Sequence, residues 1–289
     1  MMRRQRGMAL IIVLWIIVLL GIMAAGHSKN VHTEVQLAAR QVETARARGL
    51  AEAAVNHVVL EMLGQRLLQP LLTNGTPFPL AVRDDVVTVA VRNTSGLVDL
   101  NAAAADLLDG TFKACGIEMT DRAALVDAVL DWRDGDNLTH LNGLEDGDYA
   151  AMGVPWASRD GEFSSVEELR YLPGISQALF ECMAPLVTVH SGRGGIDLES
   201  APPILVTALS GNVIEPATQE GVDASGTSQA ALPRNGTYQI YASVGAGVGT
   251  VASVEAVVYI SRSSDQPYTI LEWRDPPRHE LPPLPAAEE

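Results

Sequence analysis

Gly7-Met-Ala-Leu-Ile-Ile-Val-Leu-Trp-Ile-Ile-Val-Leu-Leu-Gly-Ile-Met-Ala-Ala-Gly26 contains no ionisable side chain. A run of about 20 apolar residues is the length of helix that crosses the hydrocarbon core of a bilayer. A buried helix of a soluble domain normally carries a polar stripe, and this stretch has none. Arg3, Arg4 and Arg6 precede it with no acidic residue among them. Basic residues stay on the cytoplasmic side, so the N-terminus is expected inside and the bulk of the chain outside the cytoplasm.

Helical patterning continues past the apolar run. No proline occurs between Gly7 and Pro70. Val31, Val35, Ala38, Val42, Ala45, Leu50, Ala54, Val58 and Met62 recur at helical spacing, with Glu34, Arg40, Glu43, Arg46 and Arg48 between them. One helix is expected from about Met8 to about Leu68. Gly49 is its weak point, at about 1 kcal/mol relative to Ala.

Residues 70–84, with three prolines, Asn74 and Gly75, read as loop. Asp85–Arg92 is rich in β-branched residues and reads as a strand. From Ser95 the pattern changes to short helices. Asn101 is an expected N-cap, Thr120–Trp132 a helix, and Ser165 with Glu168 a capping-box pair. Leu172-Pro-Gly-Ile175 closes that helix and another begins at Ser176. Strands return at Thr237–Gly245 and Thr250–Ile260 around a Gly-rich turn, then at Pro267–Trp273. The Pro-rich tail from Pro276 reads as disordered. The expected fold is α+β: a long N-terminal helix on a small antiparallel sheet, split by a mostly helical insertion. The divisions are a transmembrane helix at 8–26, helix and first strand at 27–94, the insertion at 95–200, the sheet at 201–275 and the tail at 276–289.

The formal net charge is −15. Such a surface repels nucleic acid and anionic lipid and suits divalent cations or basic partners. Cys115 and Cys182 are the only two cysteines. An oxidising compartment permits a bond between them, which would contribute about 3–4.5 kcal/mol; two separate buried thiols are the alternative.

The densest charge lies at Asp131-Trp-Arg-Asp134-Gly-Asp136-Asn137, followed by Glu145-Asp146-Gly-Asp148. Calcium takes six to eight oxygen ligands, and a helix end feeding an acidic turn that a second acidic cluster closes is a candidate cage. Asp131, Asp134, Asp136 and Glu145 are the candidate ligands, with Asp146 beside them. The register is not that of an EF-hand. A solvated acidic loop is the alternative reading; His140 beside it is a further candidate ligand, with a lone surface histidine as the better reading. No Ser-His-Asp or HExxH arrangement appears, so no catalytic residue is assigned.

Arg6-Gly7 followed by an apolar 20-mer and one long amphipathic helix resembles type IV pilins and pseudopilins. The resemblance implies a leader at 1–7, cleavage between Gly7 and Met8 by a prepilin peptidase and N-methylation of Met8. The fifth mature residue is Glu in most such proteins and Ile12 here. With Gly96-Leu-Val-Asp99-Leu-Asn101, Asp131-Trp132, Phe163–Leu169, Leu172-Pro-Gly-Ile175 and Ile270-Leu-Glu-Trp-Arg274, the chain resembles the K-type minor pseudopilins of type II secretion over essentially its full length. That resemblance implies calcium as cofactor, I- and J-type minor pseudopilins as partners, and a place at the tip of a pseudopilus anchored in the bacterial inner membrane with the bulk periplasmic. Ser165–Ser176 also resembles a helix-hairpin-helix, whose amides hold DNA phosphate. The charge is wrong for it, with Asp160, Glu162, Glu167 and Glu168 against Arg170, so no nucleic acid is expected and a DNA-uptake protein is the rival reading.

Overall fold

The computed structural model describes residues 6–64, 73–210, 235–245, 250–261 and 265–275, with backbone alone at 6–9, 21–33 and 250. The chain forms two units, Met1–Gly49 and Leu50–Glu289. Helix α1 runs Arg6–Leu63 without interruption at Gly49. Among the described residues no helix is long and apolar enough to cross a membrane; the apolar run 7–26 is described with side chains only at 10–20. There Leu10–Leu20 are all exposed. The cleavage pair Gly7 and Met8 falls among the residues given by backbone alone.

In the second unit, the α1 segment from Leu50 buries one face. Ala51, Ala54, Val55, Val58, Val59 and Met62 are each at most 3% exposed, spaced as one side of a helix. That face packs on a five-stranded sheet of order β1-β2-β5-β6-β7, every neighbour antiparallel. The strands are β1 Phe78–Val82, β2 Asp85–Asn93, β5 Gly236–Gly245, β6 Thr250–Ile260 and β7 Tyr268–Arg274. Central β5 buries both its faces, Tyr238, Ile240 and Ala242 on one and Gln239 and Tyr241 on the other.

β2 and β5 are sheet neighbours, yet the helical module lies between them in sequence. It comprises α2 Ala105–Ala114, α3 Met119–Arg133, α4 Asp146–Met152, a 3-10 turn Val166–Tyr171, α5 Gln177–Met183 and α6 Pro203–Leu209. Leu107, Leu108 and Phe112 of α2 meet Leu125, Val129 and Trp132 of α3 in its core. α6 lies beyond the expected boundary at 200, and its Leu205 and Leu209 join the same core. A short parallel pair, β3 Val98–Asp99 with β4 Val187–Thr188, ties entry to exit. Asp99 reinforces it by accepting from Ser191 N (2.9 Å), Ser191 Oγ (2.9 Å) and Gly192 N (2.7 Å). Cys115 and Cys182, 67 positions apart, are bonded, joining the end of α2 to α5.

The expected strands at 85–92, 237–245, 250–260 and 267–273 all form, and Ser176 caps α5 by accepting from Leu179 N. Three local expectations change. The loop at 70–84 contains β1: Pro79 sits on an edge strand, where a missing N–H donor leaves no ladder bond unmade. Asn101 caps no helix, since α2 begins at Ala105; its amide instead exchanges two hydrogen bonds with the backbone of Phe163, at 2.7 and 3.0 Å. Ser165 and Glu168 form no capping box because the segment is 3-10 and Glu168 turns inward. The Gly-rich turn at 246–249 and the tail from Pro276 lie outside the described residues.

Gly96 meets the module's exit closely: a Cβ there would stand 2.3 Å from the Ser200 carbonyl. Gly96→Ala is expected to destabilise the fold by at least about 2 kcal/mol, whereas Gly49→Ala, with no atom within 4 Å of the added methyl, should stabilise α1 by about 0.5–1 kcal/mol. Urea denaturation of the two variants beside the parent checks both signs.

Candidate metal centre

The acidic loop is built on the end of α3. Asp127 and Asp131 stand one turn apart on the same helix face, and the loop folds back over both. Asn142 donates twice to Asp127 Oδ2, at 3.0 Å each. His140 N donates to both oxygens of Asp131, at 3.2 and 3.3 Å, and the His140 ring Nδ1 contacts Oδ1 as well. Gly143 completes the cover: a Cβ there would lie 1.8 Å from Asp131 Oδ2. Behind the helix end, Ser158 Oγ donates to the Asp131 carbonyl. Asp131 is thereby fully buried.

Asp134 caps α3, its N–H donating to Leu130 O. Ligand atoms of Asp131, Asp134 and His140 all lie within 4.8 Å of one another, a group able to hold a metal ion. Glu145, at the start of α4, is buried and feels the charge of Asp131, Asp134, Asp160 and Asp146. Asp136 and Asp146 stand outside the three-residue group. Both are exposed: Asp136 accepts from Leu138 N at 2.8 Å and Asp146 from Ser158 N at 3.2 Å. Arg133, the nearest cation in sequence, donates its hydrogen bonds to Leu100 O and Ala103 O.

This leaves several oxygens of the group without a hydrogen-bond partner. Asp134 Oδ1, both carboxylate oxygens of Glu145 and the Tyr149 hydroxyl are buried and accept or donate no hydrogen bond. Buried polar atoms in native proteins are almost always satisfied. Burial and the surrounding carboxylates push Glu145 up to about 7 and Tyr149 up to about 12. Burial followed by Asp136 raises Asp134. The hydrogen bond to Asp131 raises His140, so the imidazolium stands where a cation would. Unpaired oxygens around a buried carboxylate are the donor set of a hard divalent ion, so the residues fit a metal.

His140 joins this group, and Asp160 and Tyr149 interact with Glu145 by charge; neither of the latter two carries a local sequence signal for it. Asp146-Gly-Asp148 has turn composition, yet it opens helix α4, which Gly153 at φ 71° ends.

The sign of the pH dependence follows from Glu145. Between about pH 4.5 and 7 the folded chain keeps a proton that the unfolded chain releases. Stability therefore declines as pH rises through that window and levels off above it, by at most about 3 kcal/mol. His140, raised from 6.5, acts in the same direction at higher pH. In chelator, the melting temperature is expected to fall from pH 5 to 7.5, and Glu145→Gln should flatten that fall; thermal scans at fixed ionic strength check it.

These features define a class: a pilin-like α+β protein whose sheet is split by a helical module bearing an acidic group able to hold a metal ion. A family model described as type II secretion system (T2SS), protein K, matches residues 87–192. Type II secretion system protein K of Pectobacterium carotovorum subsp. carotovorum is 32% identical over 210 residues, covering 65% of this chain and 63% of that protein. The protein of the same description from Aeromonas hydrophila is 28% identical over 212 residues, covering 64% of this chain and 63% of that protein. A crystal structure of the GspK-GspI-GspJ complex from the enterotoxigenic Escherichia coli type 2 secretion system holds a chain of the same fold. It has a TM-score of 0.53 and 15% identity over 85% of this chain and 99% of that one. The chain is similar to type II secretion system protein K over these spans, and it spans about 63% of the length of these relatives.

Proposed function

We propose that this protein is a minor pseudopilin at the tip of a type II secretion pseudopilus, supporting export of folded proteins across the outer membrane. Its role is structural rather than catalytic. The observation that carries the reading is one chain joining a long N-terminal helix, a small antiparallel sheet and a large helical insertion between adjacent strands β2 and β5.

In this reading, prepilin peptidase cuts between Gly7 and Met8 and Met8 is methylated. The segment 8–26 anchors the chain in the bacterial inner membrane, N-terminus inside, until it enters the filament. Ile12 cannot offer the neighbouring subunit's terminal ammonium a countercharge, and leaving a buried ammonium unpaired is strongly unfavourable. The tip is the place where this subunit need not supply that contact. The solved relative was crystallised with GspI and GspJ, which supports I- and J-type minor pseudopilins as partners here.

Calcium is the proposed cofactor, held by Asp131, Asp134 and Glu145. It supplies the positive charge that the carboxylates lack. His140 is a nitrogen ligand and would suit zinc better; for calcium, its ring must yield Asp131 to the ion. Asp136 and Asp146 would join only through a change in their turn hydrogen bonds.

Nothing in the hairpin geometry favours the DNA-binding reading. Arg159 is engaged by Glu168 at 3.1 Å, and Arg170 lies 3.8 Å from the Phe180 ring centroid and bonds Gln177. A phosphate surface needs cations free to replace counterions.

Mass spectrometry of the mature chain is expected to find N-methylated Met8 at its start; a start near His27 would defeat the pseudopilin reading. Calcium should raise the melting temperature of the parent, and Asp134→Ala or Glu145→Ala should weaken calcium binding at least about tenfold, as loss of a carboxylate from a hard-cation site does. Tighter binding of zinc, abolished by His140→Ala, would reassign the ion.

A further inference from the structure

The residue after the buried ligand Asp131 leads directly to the contact between the helical module and the sheet. Trp132, 5% exposed, donates from Nε1 to Glu168 Oε2 at 3.2 Å. Its ring also stacks on Tyr171, centroids 6.3 Å apart and planes 10° from parallel. Glu168 and Tyr171 both belong to the 3-10 turn Val166–Tyr171. Glu168 accepts from Ser164 N at 3.0 Å and Arg159 Nη1 at 3.1 Å as well, so its carboxylate fixes the turn against the last turn of α3. The adjacent residue, Glu167, faces the sheet, where Arg274 of β7 reaches it at 2.5 Å. Arg274 also pairs with Glu272, whose other oxygen lies 3.4 Å from His190 Nε2 at the module's exit. Asp131 and the last strand are thus linked through two consecutive glutamates of one short turn.

We propose that the metal centre and this module–sheet clasp are a single coupled unit. Cation binding at Asp131, Asp134 and Glu145 fixes the last turn of α3, Trp132 carries that order to the 3-10 turn, and the Arg274–Glu167 clasp tightens. The inference rests on the metal reading above. Without a cation, the clustered carboxylates repel one another at the point where Trp132 leaves the helix. With one, a neighbouring shell of hydrogen bonds orients the ligands, as it does around metals generally. Coupling between two sites is reciprocal, so the clasp must raise the affinity for the cation as much as the cation strengthens the clasp. The consequence for a filament subunit is that its module is held at one setting on the sheet only when the ion is bound.

The test uses the full chain in detergent micelles and calcium itself as the probe. Calorimetric titration compares the parent with Arg274→Ala, Glu167→Gln and, as control, Arg122→Ala. The control breaks a 2.7 Å ion pair with Asp109 inside the module, away from the clasp, so general loosening would show there too. Glu167→Gln changes a carboxylate that is 34% exposed and keeps its size. Both clasp variants are expected to weaken calcium binding at least about fivefold while the control binds as the parent does. Calcium should also slow amide exchange across 268–274 in the parent and not in Arg274→Ala. Calcium binding equally to all four proteins, with exchange at 268–274 unchanged, overturns the coupling and leaves the metal centre standing. A control weakened as much as the clasp variants also overturns it. A parent that binds no calcium removes the metal reading and this inference with it.

Discussion

The pairing of β2 with β5 is the constraint on which the rest of the molecule depends. Six residues of β2, Thr88–Asn93, lie opposite Ser243–Tyr238, and the whole helical module leaves from one strand and returns to the other. Two strands in a ladder lie about 5 Å apart. The module must therefore begin and end within that distance. β3 and β4, Asp99 on the Ser191–Gly192 amides, and the Asp197 N–Ser95 O bond of 2.8 Å meet that demand. Gly96 is small because the two ends pass so close. Arg92 of β2 adds a tie across the seam, donating to Pro185 O at 3.2 Å despite the burial that lowers its pKa.

With its ends fixed by the sheet, the module carries its charge where the fold can bear it. Asp131 occupies a core position on α3 between Ala128, Val129 and Trp132, where an apolar residue would serve stability better. A buried carboxylate is tolerated only with strong partners. The loop 134–145 supplies some of them from its backbone and from His140, and leaves Asp134 and Glu145 short. The chain has thus given up stability to hold a set of oxygens in place. Its closest aromatic neighbours, Tyr149 and Phe163 with centroids 5.9 and 6.1 Å from Trp132, hold this arrangement rigid from the core side.

Much of this was legible in the chain itself. Period-3.6 patterning gave α1, and β-branched alternation gave β2, β5 and β6, because in those elements burial repeats along one segment. The acidic loop could be located, since charge density is local. What could not be read depends on contacts made across the fold. Pro79 concealed β1 because only the sheet order reveals an edge. Asn101 looked like a cap until Phe163, distant in sequence, claimed its amide. His140 looked like a surface side chain, and it is 44% exposed, yet its ring reaches a carboxylate with no exposure at all. Asp160, at φ 51°, acts on Glu145 from a loop whose path no periodicity encodes.

The closed ends of the module also bear on the order in which the chain folds. Pairing β2 with β5 requires residues about 150 positions apart to meet, and contacts of such separation are slow to form because loop closure precedes their reward. Within the module α2 packs on its neighbour α3 and on the more distant α6, and each of these contacts closes a shorter loop than the β2–β5 pairing. Once α2, α3 and α5 pack and β3 meets β4, Asn93 and Gly236 are brought toward each other across a folded body instead of a free coil. A long loop is thereby shortened before the sheet is asked to close it. The insertion that interrupts the sheet in sequence is, in time, the element that lets the sheet assemble.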